Sequence, residues 1–377
     1  MSEKKILFVA TVVKTHIAQF HLPYLKMLKE MGWETAVAAR NDYENPADCV
    51  IPCCDRYYPV DFARNPLKKE NLAAYRELKR IIQENHFDVI HCHTPVAAIL
   101  TRLAARKARK QGCKVLYTVH GMHFYKGAPL VNWLVYFPAE WISSFYTDVL
   151  ITINQEDYRF AQKHLHAKRV EYVRGVGVPL ERFQAGTAER LSTRAALGLK
   201  DGDFALLSVA EMTKNKNHAM MLRAMALVPD KRIHLFCAGR GQELEHNKAL
   251  CAHLGLQDRV HFLGYWSDVP DLYAAADAFL FISFREGLSL SLMEAMSSGL
   301  PSIVSPIRGN VDLIEDGKEG LYAELTPEAV AHAIRTLAEN PEECRRLGDA
   351  AKEKVQAFSL EKVSAQMREI YYSVCPE

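Results

Sequence analysis

Several features that would assign a protein class quickly are missing from this 377-residue chain. No apolar run reaches the roughly 20 residues that a helix needs to cross a bilayer, so a membrane-spanning protein is not indicated. The nine cysteines are scattered and include no Cys-x-x-Cys pair, which argues against a disulfide framework and against a zinc site of that kind. Internal repeats and low-complexity segments are also lacking. The chain is therefore expected to be a globular protein of a reducing cytoplasm.

The composition and charge that are present narrow the possibilities further. Hydrophobic residues make up 49% and charged residues 24%, and the length is sufficient for two ordinary domains. The net charge is only +2, but residues 1–180 hold 25 Lys and Arg against 17 Asp and Glu. This basic half is the part expected to meet an anionic surface or acceptor. Neither half has a basic groove with interleaved aromatic residues, so nucleic-acid binding is not expected.

The hydrophobic pattern alternates between buried strands and amphipathic helices along the whole chain. KILFVATVV, FDVIHCH and KVLYTVHG are predicted strands of a first series, and FALLSVAEM, RIHLFCAG and AFLFIS belong to a second. Strands separated by helices of this length indicate parallel, doubly wound sheets. We predict an N-terminal domain over 1–178 and a second domain over 179–358, with a helix in 359–377 packing back on the first. Two such domains would have a ligand crevice between them.

The segment from Glu286 to Gly299 has the most specific pattern. A buried strand is predicted to end at Ser283, and a helix is predicted from about Ser289 to Ser298. The backbone N–H groups of the first helical residues would favour a phosphate through hydrogen bonds and the helix dipole. Glu286 precedes this helix, and Glu294 lies inside it. Each glutamate either binds ligand hydroxyl groups or has a structural role as a helix cap or surface ion pair.

The complete string FISFREGLSLSLMEAMSSGLPSIVS resembles the Glu-x7-Glu signature of family 4 glycosyltransferases, which are retaining enzymes of the GT-B fold. The similarity extends over nearly the whole chain through LSVAEMTKNKNH, CAGRGQELEH and HLGLQDRVHFLGYWSDVPDLY. It implies that Glu286 contacts the transferred sugar and Glu294 contacts the ribose of the nucleotide. About 12 Å of helix would separate the two glutamates, which is too far for a hydrolase acid and nucleophile.

The loop VAEMTKNKNH departs from the family at one position. Relatives commonly have an Arg and a Lys there that neutralise the diphosphate of the donor; Lys216 matches the Lys, whereas Glu211 occupies the position of the Arg. Lys214 on the same loop could supply the second positive charge, although without the fork geometry of a guanidinium. The alternative is a solvated, lysine-rich loop. The remaining donor-binding residues that the resemblance implies are Gly287, Leu288, Leu290, Ser291, Gly239 and Gly264.

Histidines follow two of the predicted strands. The resemblance assigns His120, directly after LYTV, to the donor sugar, so that His120, Glu286 and Lys216 form the predicted catalytic set. Weaker acceptor-side candidates are Lys14, His16, His123 and Lys126. His91 and His93 fall on one face of a strand end, but no third metal ligand is apparent in the sequence, which favours a role in packing or acceptor binding. The resemblance implies that transfer needs no metal ion or cofactor, because the nucleotide-sugar is a substrate.

We therefore predict a transferase that moves a hexose or N-acetylhexosamine from a nucleotide-sugar, a UDP-sugar, to a growing lipid-linked saccharide for capsule or exopolysaccharide. A basic helix (Arg102, Arg106, Lys107, Arg109, Lys110 and Lys114) and the apolar stretch 124–145 suggest a peripheral site on the inner membrane leaflet, facing a polyprenyl-linked acceptor. A nucleotide-sugar epimerase and a non-catalytic nucleotide-sugar-binding partner are the alternatives. A dehydrogenase is disfavoured, because the GRG of AGRGQEL lacks the third glycine of the dinucleotide fingerprint.

Overall fold

The computed structural model describes residues 4–125, 127–184, 186–266 and 268–376. Two compact units make up the chain: one runs to Val176 and includes the segment from Glu361 onward, and the other is Gly177–Leu360. Each unit is a parallel sheet covered by helices, as the alternating pattern predicts. Among the described residues, no helix combines the length and the apolar character needed to cross a membrane.

The N-terminal unit has a seven-stranded parallel sheet in the order β3-β2-β1-β4-β5-β6-β7. Its strands are β1 (Lys5–Val12), β2 (Glu34–Arg40), β3 (Arg56–Pro59), β4 (Val89–His93), β5 (Lys114–Val119), β6 (Val149–Thr152) and β7 (Arg169–Tyr172). Its helices are α1 (Ala18–Phe20), α2 (Leu22–Glu30), α3 (Glu70–Asn85), α4 (Pro95–Ala104), α5 (Arg106–Lys110), α6 (Leu130–Ser144) and α7 (Gln155–His164). The central strands are almost continuously apolar because helices cover both faces of the sheet.

The C-terminal unit repeats this design with six parallel strands in the order β10-β9-β8-β11-β12-β13. The strands are β8 (Phe204–Val209), β9 (Ile233–Ala238), β10 (Val260–Gly264), β11 (Ala278–Phe281), β12 (Ser302–Val304) and β13 (Gly320–Tyr322). The helices of this half are α8 (Thr187–Ala196), α9 (His218–Ala226), α10 (Leu244–His253), α11 (Val269–Ala275), α12 (Leu290–Ser297), α13 (Asn310–Leu313), α14 (Pro327–Glu339) and α15 (Pro341–Val355).

Three short strands fall outside the predicted set: β3, β7 and β13. Each lies at the edge of its sheet, where a strand pairs on one side only. None of the residues of β3 and β7 is fully buried, so their sequences lack the continuous apolar run that identifies the central strands. These segments are therefore strands because each pairs with a neighbouring strand, and not because of their local hydrophobic pattern.

The C-terminal helix α16 (Leu360–Val374) packs in the core of the N-terminal unit. Its buried residues Val363, Met367 and Tyr371 contact a cluster that includes strand β1. The Tyr371 hydroxyl also lies 2.7 Å from Nδ1 of His91, at the end of β4. The last helix of the chain therefore completes the first unit.

Helix α6 presents two different faces. Trp133, Tyr136 and Phe137 pack against the core of the N-terminal unit. The other side, which we call the α6 apolar face, consists of Leu130, Val131, Leu134, Trp141 and Ile142, together with Phe145 just beyond the helix, and all of these side chains are exposed. Leu130 and Leu134 are 80% and 77% exposed, so the apolar stretch predicted over 124–145 contains a helix with one uncovered face.

The predicted basic helix is not a uniformly charged surface. Arg102 is completely buried and forms two hydrogen bonds to Glu140, of 2.5 and 2.9 Å, while its guanidinium stacks on Tyr117. Arg109 binds both carboxylate oxygens of Asp148. Lys114 lies in β5 rather than in a helix. The prediction was wrong for these three residues, because Arg102 and Arg109 are neutralised by carboxylates of neighbouring elements and Lys114 belongs to a strand.

Replacing Arg102 should test the buried ion pair. We expect Arg102→Met to destabilise the protein by about 3–5 kcal/mol, because Glu140 would keep a buried charge without its partner. Adding Glu140→Leu should recover most of this loss, since the double variant buries no charge. Urea denaturation measures both effects. Arg80→Ala, at an exposed helical ion pair, is the control that should leave the midpoint nearly unchanged; equal effects of the two arginine substitutions would contradict the interpretation.

Candidate active site

The predicted donor residues of the C-terminal unit gather at the carboxyl ends of β8 and β11. These two strands are neighbours in the sheet, and the chain leaves them toward opposite sides. At such a reversal of strand order the two following loops separate and leave an opening. The loop after β8 carries Lys216, and the loop after β11 carries Glu286.

Lys216 and Glu286 form the central contact of this opening. The Lys216 Nζ lies 2.7 Å from the Glu286 Oε1, although the two residues are 70 positions apart. Both side chains are mostly buried, with exposures of 21% and 11%. The ammonium group also lies 4.6 Å from the centre of the Phe281 ring, which adds a cation–π contact. The structure therefore brings together two of the three predicted catalytic residues.

Helix α12 begins directly behind this ion pair. Ser289 is its N-cap, and the Ser289 hydroxyl accepts a hydrogen bond from the backbone N–H of Leu292. Gly287 and Leu288 precede the cap, while Leu290 and Ser291 form the first turn. The predicted helix start is thus correct to one residue, and its positive dipole end faces the loop that carries Glu286.

Glu294 is half-buried in α12, where the Tyr273 hydroxyl donates a 2.8 Å hydrogen bond to its Oε2. Burial raises the pKa of this carboxyl, although the Tyr273 hydroxyl and nearby Arg182 offset part of the rise. The sequence offers no signal for Tyr273, which comes from helix α11. A ribose would compete with or extend this hydrogen bond.

Gly239 and Gly241 support the loop after β8, because their backbone lies directly against the backbone of that loop. A side chain on Gly239 would place its Cβ 2.0 Å from the carbonyl oxygen of Ala210, and one on Gly241 would lie 2.3 Å from that of Met212. The N–H of Gly239 donates to the carbonyl of Gly264. Only glycine allows these contacts, so Gly239 and Gly241 shape the backbone from which Lys216 projects.

The opening has a positively charged residue that the sequence analysis did not identify. Lys214 is exposed on the same turn as Lys216, and Glu211 at the predicted Arg position is also exposed. Sequence reasoning missed Arg308, which is buried and donates from its Nε to the backbone carbonyl of Glu286 at 3.2 Å. The next residue, Gly309, approaches the Gly287 carbonyl so closely that a Cβ would lie 2.4 Å away.

In the N-terminal unit, five histidine rings cluster near the carboxyl ends of β1, β4 and β5. His120 follows β5, His91 and His93 end β4, and His16 lies in a five-residue π-helical turn after β1. His21 precedes helix α2 and stacks on His93 with ring centres 3.8 Å apart. Burial lowers the pKa of all five, to about 4 for His120 and about 3 for His91, which keeps the rings neutral. The sequence showed no third metal ligand for the pair His91 and His93, whereas the structure places three further histidines, from the segments after β1 and β5, beside His93.

The weaker acceptor-side candidates are dispersed. Lys14 is exposed, with its ammonium group 5.6 Å from the Tyr43 ring. The rings of His123 and Tyr136 lie 4.7 Å apart. His16, His123 and Tyr136 help to line a cavity of about 260 Å³ beside β1. Lys126 lies outside the described residues.

His218 is a further buried histidine, located at the start of α9 immediately after the Lys216 turn. It is 1% exposed, and neither ring nitrogen has a hydrogen-bond partner among the described residues. Burial, reinforced by the charge of Lys216, lowers its pKa to about 4. The folded protein therefore strongly disfavours the charged form of His218, which lies behind the turn that carries Lys216.

The chain is similar to known proteins along its whole length. A sequence profile described as "Glycosyltransferase Family 4" matches residues 24–180, and one described as "Glycosyl transferases group 1" matches residues 189–354. The chain is 41% identical over 375 residues to EpsD of Bacillus subtilis strain 168, which is named as a glycosyltransferase; the alignment covers 98% of this chain and 96% of EpsD.

Two further proteins resemble the chain, one in sequence and one in fold. The chain is 29% identical to an Escherichia coli enzyme named UDP-Gal:alpha-D-GlcNAc-diphosphoundecaprenol alpha-1,3-galactosyltransferase, with 71% of this chain and 70% of that enzyme covered. The crystal structure of Anabaena HepE in complex with UDP and glucose superimposes with a TM-score of 0.81 at 21% identity, covering 98% of this chain and 100% of HepE. The second similarity concerns the fold alone.

Acidification should test the environment of His218. Because its folded-state pKa lies below the ordinary value of about 6.5, the unfolded chain binds the proton first and stability falls as the pH drops below 6.5. Relative to His218→Phe, the native sequence should lose about 2 kcal/mol of unfolding free energy between pH 6.5 and pH 5. Urea denaturation at both pH values measures the difference; parallel losses in the two proteins would contradict the expectation.

Proposed function

Because the chain belongs to glycosyltransferase family 4 and has the GT-B fold, we propose that this glycosyltransferase is a retaining enzyme for cell-surface polysaccharide. Its donor is a UDP-linked hexose or N-acetylhexosamine, and its acceptor is a growing saccharide on a polyprenyl lipid. The 41% identity to EpsD supports the class of reaction. The UDP donor and lipid-linked acceptor in the name of the E. coli relative support the choice of substrates.

The observation that carries the proposal is the ion pair between Lys216 and Glu286 in front of helix α12. Without ligand, each side chain neutralises the other. A donor diphosphate would attract the Lys216 ammonium group more strongly than one carboxylate does, because it carries more negative charge. Glu286 would then be released to accept hydrogen bonds from the hydroxyl groups of the sugar. Arg308, behind the Glu286 backbone, adds a second fixed positive charge.

In the proposed reaction, the bond between the anomeric carbon and the diphosphate oxygen breaks while the acceptor oxygen bonds to the same face of the sugar. Lys216, the α12 N-terminus and Arg308 stabilise the departing diphosphate. The diphosphate oxygen takes the acceptor proton, so no protein nucleophile, metal ion or organic cofactor is required. Trapping of a glycosyl group on the enzyme would contradict this front-face route. The predicted contact of His120 with the donor sugar stays a prediction.

Substitution of the central pair should separate catalysis from donor binding. We expect Lys216→Ala and Glu286→Gln each to reduce kcat by about 10²–10³-fold, as for other groups that stabilise transition-state charge. Lys214→Ala should cost less than tenfold if Arg308 and Lys216 hold the diphosphate. Lys248→Ala, at an exposed ion pair in the same unit, is the matched control. Radiolabelled sugar transfer measures the rates, and full activity of Glu286→Gln would overturn the assignment.

Product analysis distinguishes the proposed enzyme from an epimerase on the same fold. The purified protein is incubated with UDP-, GDP- and dTDP-sugars, with and without a polyprenyl-diphosphate saccharide. A transferase forms a product only when the acceptor is present, and NMR should show the anomeric configuration of the donor retained. A donor sugar that changes configuration without an acceptor would favour the epimerase. Thermal stabilisation by one nucleotide class identifies the donor nucleotide.

The proposal includes peripheral binding to the inner membrane leaflet through the α6 apolar face. This face is exposed along the helix and is bordered near Phe145 by exposed Arg106, Lys107 and Lys110. Arg109 links the two elements by donating to the Phe145 carbonyl. Apolar side chains beside cations fit the interface of an anionic bilayer, which also contains the lipid of the acceptor.

Two charges on the α6 apolar face should strongly weaken this binding. We expect Leu130→Glu with Leu134→Glu to weaken binding to liposomes that contain anionic lipid by about tenfold or more per leucine, from the lost apolar burial. Co-sedimentation at low salt measures the effect. Leu191→Glu, at an exposed leucine of the other unit, is the matched control. If native protein and double variant sediment alike, the helix is not the membrane contact.

A further inference from the structure

Four of the clustered histidines have an arrangement suited to one metal ion. His16, His21, His93 and His120 each offer a ring nitrogen, and these four atoms all lie within 4.8 Å of one another. The Nε2 atoms of His16 and His21 are 3.3 Å apart, and Nε2 of His120 lies 3.5 Å from Nδ1 of His93. A tetrahedral site with metal–nitrogen bonds of about 2.0–2.1 Å has nitrogen–nitrogen edges of about 3.3–3.4 Å. Two of the edges are therefore already at or near the required length.

The ring centres agree with the same geometry. Four imidazoles around one tetrahedral ion have centres roughly 5 Å apart, since each ring points its nitrogen at the metal. In the cluster, the His16 ring centre is 5.0 Å from that of His21, 5.9 Å from His93 and 4.9 Å from His120. His120 is 5.6 Å from both His21 and His93. Only the stacked pair His21 and His93, at 3.8 Å, would have to separate.

The chemistry of the cluster also suits a cation. Because the rings are buried and neutral, their nitrogens retain lone pairs for coordination. Nδ1 of His21 and Nε2 of His93 are buried without any hydrogen-bond partner among the described residues. They are the nitrogens opposite the two short edges, so the metal-facing atoms are Nε2 of His21 and Nδ1 of His93, and a bound ion leaves the two outer nitrogens without a hydrogen bond. His91, although adjacent, is excluded as a ligand because its two nitrogens contact the hydroxyl groups of Tyr371 and Thr118 at 2.7 and 2.8 Å.

We propose that His16, His21, His93 and His120 bind a single transition-metal ion of the Zn²⁺ class in the N-terminal unit. An all-imidazole set favours Zn²⁺, Cu²⁺ or Ni²⁺ over Mg²⁺ or Ca²⁺, which prefer oxygen ligands. Four protein ligands close the tetrahedral coordination sphere, which is typical of structural rather than catalytic zinc. The ion thus takes no part in bond making or bond breaking, and it connects the end of β4 with the loops after β1 and β5.

The proposed metal site has a consequence for activity, which rests on the proposed function. His120 cannot bind a metal and donate a hydrogen bond to a sugar with the same nitrogen. Metal occupancy is therefore expected to inhibit transfer, and chelation is expected to restore it. This consequence can fail while metal binding holds, because binding is measured without any substrate.

The direct test is metal uptake by the full-length protein. After treatment with a chelator and dialysis, the native protein should take up one equivalent of Zn²⁺, measured by elemental analysis, and show a higher Tm. Co²⁺ should give the intense visible absorption of a tetrahedral site, and Zn²⁺ should displace it. Uptake of less than half an equivalent, or the weak absorption of octahedral Co²⁺, would overturn the proposal.

Variants then assign the ligands. His16→Gln, at the edge of the cluster, and His93→Gln, at its centre, should each lower Zn²⁺ affinity by at least about tenfold and remove the tetrahedral Co²⁺ spectrum. His91→Gln is the matched control, since this ring lies in the same cluster but its nitrogens are occupied. Circular dichroism confirms folding of each variant. If His93→Gln does not fold, His16→Gln and the native stoichiometry still decide, and equal loss in His91→Gln would contradict the ligand assignment.

Discussion

A parallel sheet buried on both faces leaves few places for polar side chains, and this constraint underlies the rest of the structure. Central strands such as β1, β4 and β11 are almost completely buried because helices cover them on either side. Functional groups are therefore confined to the loops that follow the strands. In each unit the strand order reverses at one point, at β1 and β4 in the first and at β8 and β11 in the second, and the loops that follow these strands separate there. The histidine cluster and the Lys216–Glu286 pair occupy these two positions.

Two of the cations withdrawn from solvent are paired with carboxylates. Lys216 is paired with Glu286, and Arg102 with Glu140, because an isolated buried charge would be several kcal/mol less favourable. The two pairs differ in consequence. Arg102 is enclosed on all sides, so its pair is structural, whereas the pair of Lys216 lies at an opening where, in the proposed function, a donor diphosphate replaces the carboxylate. In that proposal, an ion pair serves stability in one place and chemistry in the other.

Much of the candidate site follows from local sequence. The strand before Ser283, the capped helix after Ser289 and the positions of Glu286 and Lys216 are all local features, and their spacing identifies the family. Arg308, Tyr273 and His21 could not be identified in this way. Each comes from a separate element, and no motif links Tyr273 to Glu294 or Arg308 to the backbone of Glu286. The basic helix was misinterpreted for a related reason: a sequence shows the charge of Arg102 but not the distant carboxylate that neutralises it.

The sequence by itself therefore determined the class of fold, the family and the residues of the loops after β8 and β11, because hydrophobic period, helix caps and glycine positions are encoded locally. Only the tertiary structure decided which side chains meet. It paired Lys216 with Glu286 across 70 residues, buried Arg102, left one face of α6 uncovered and gathered four histidines from three loops. The physical reason is that such contacts depend on the order and register of the strands, which bring distant parts of the chain to one edge of a sheet.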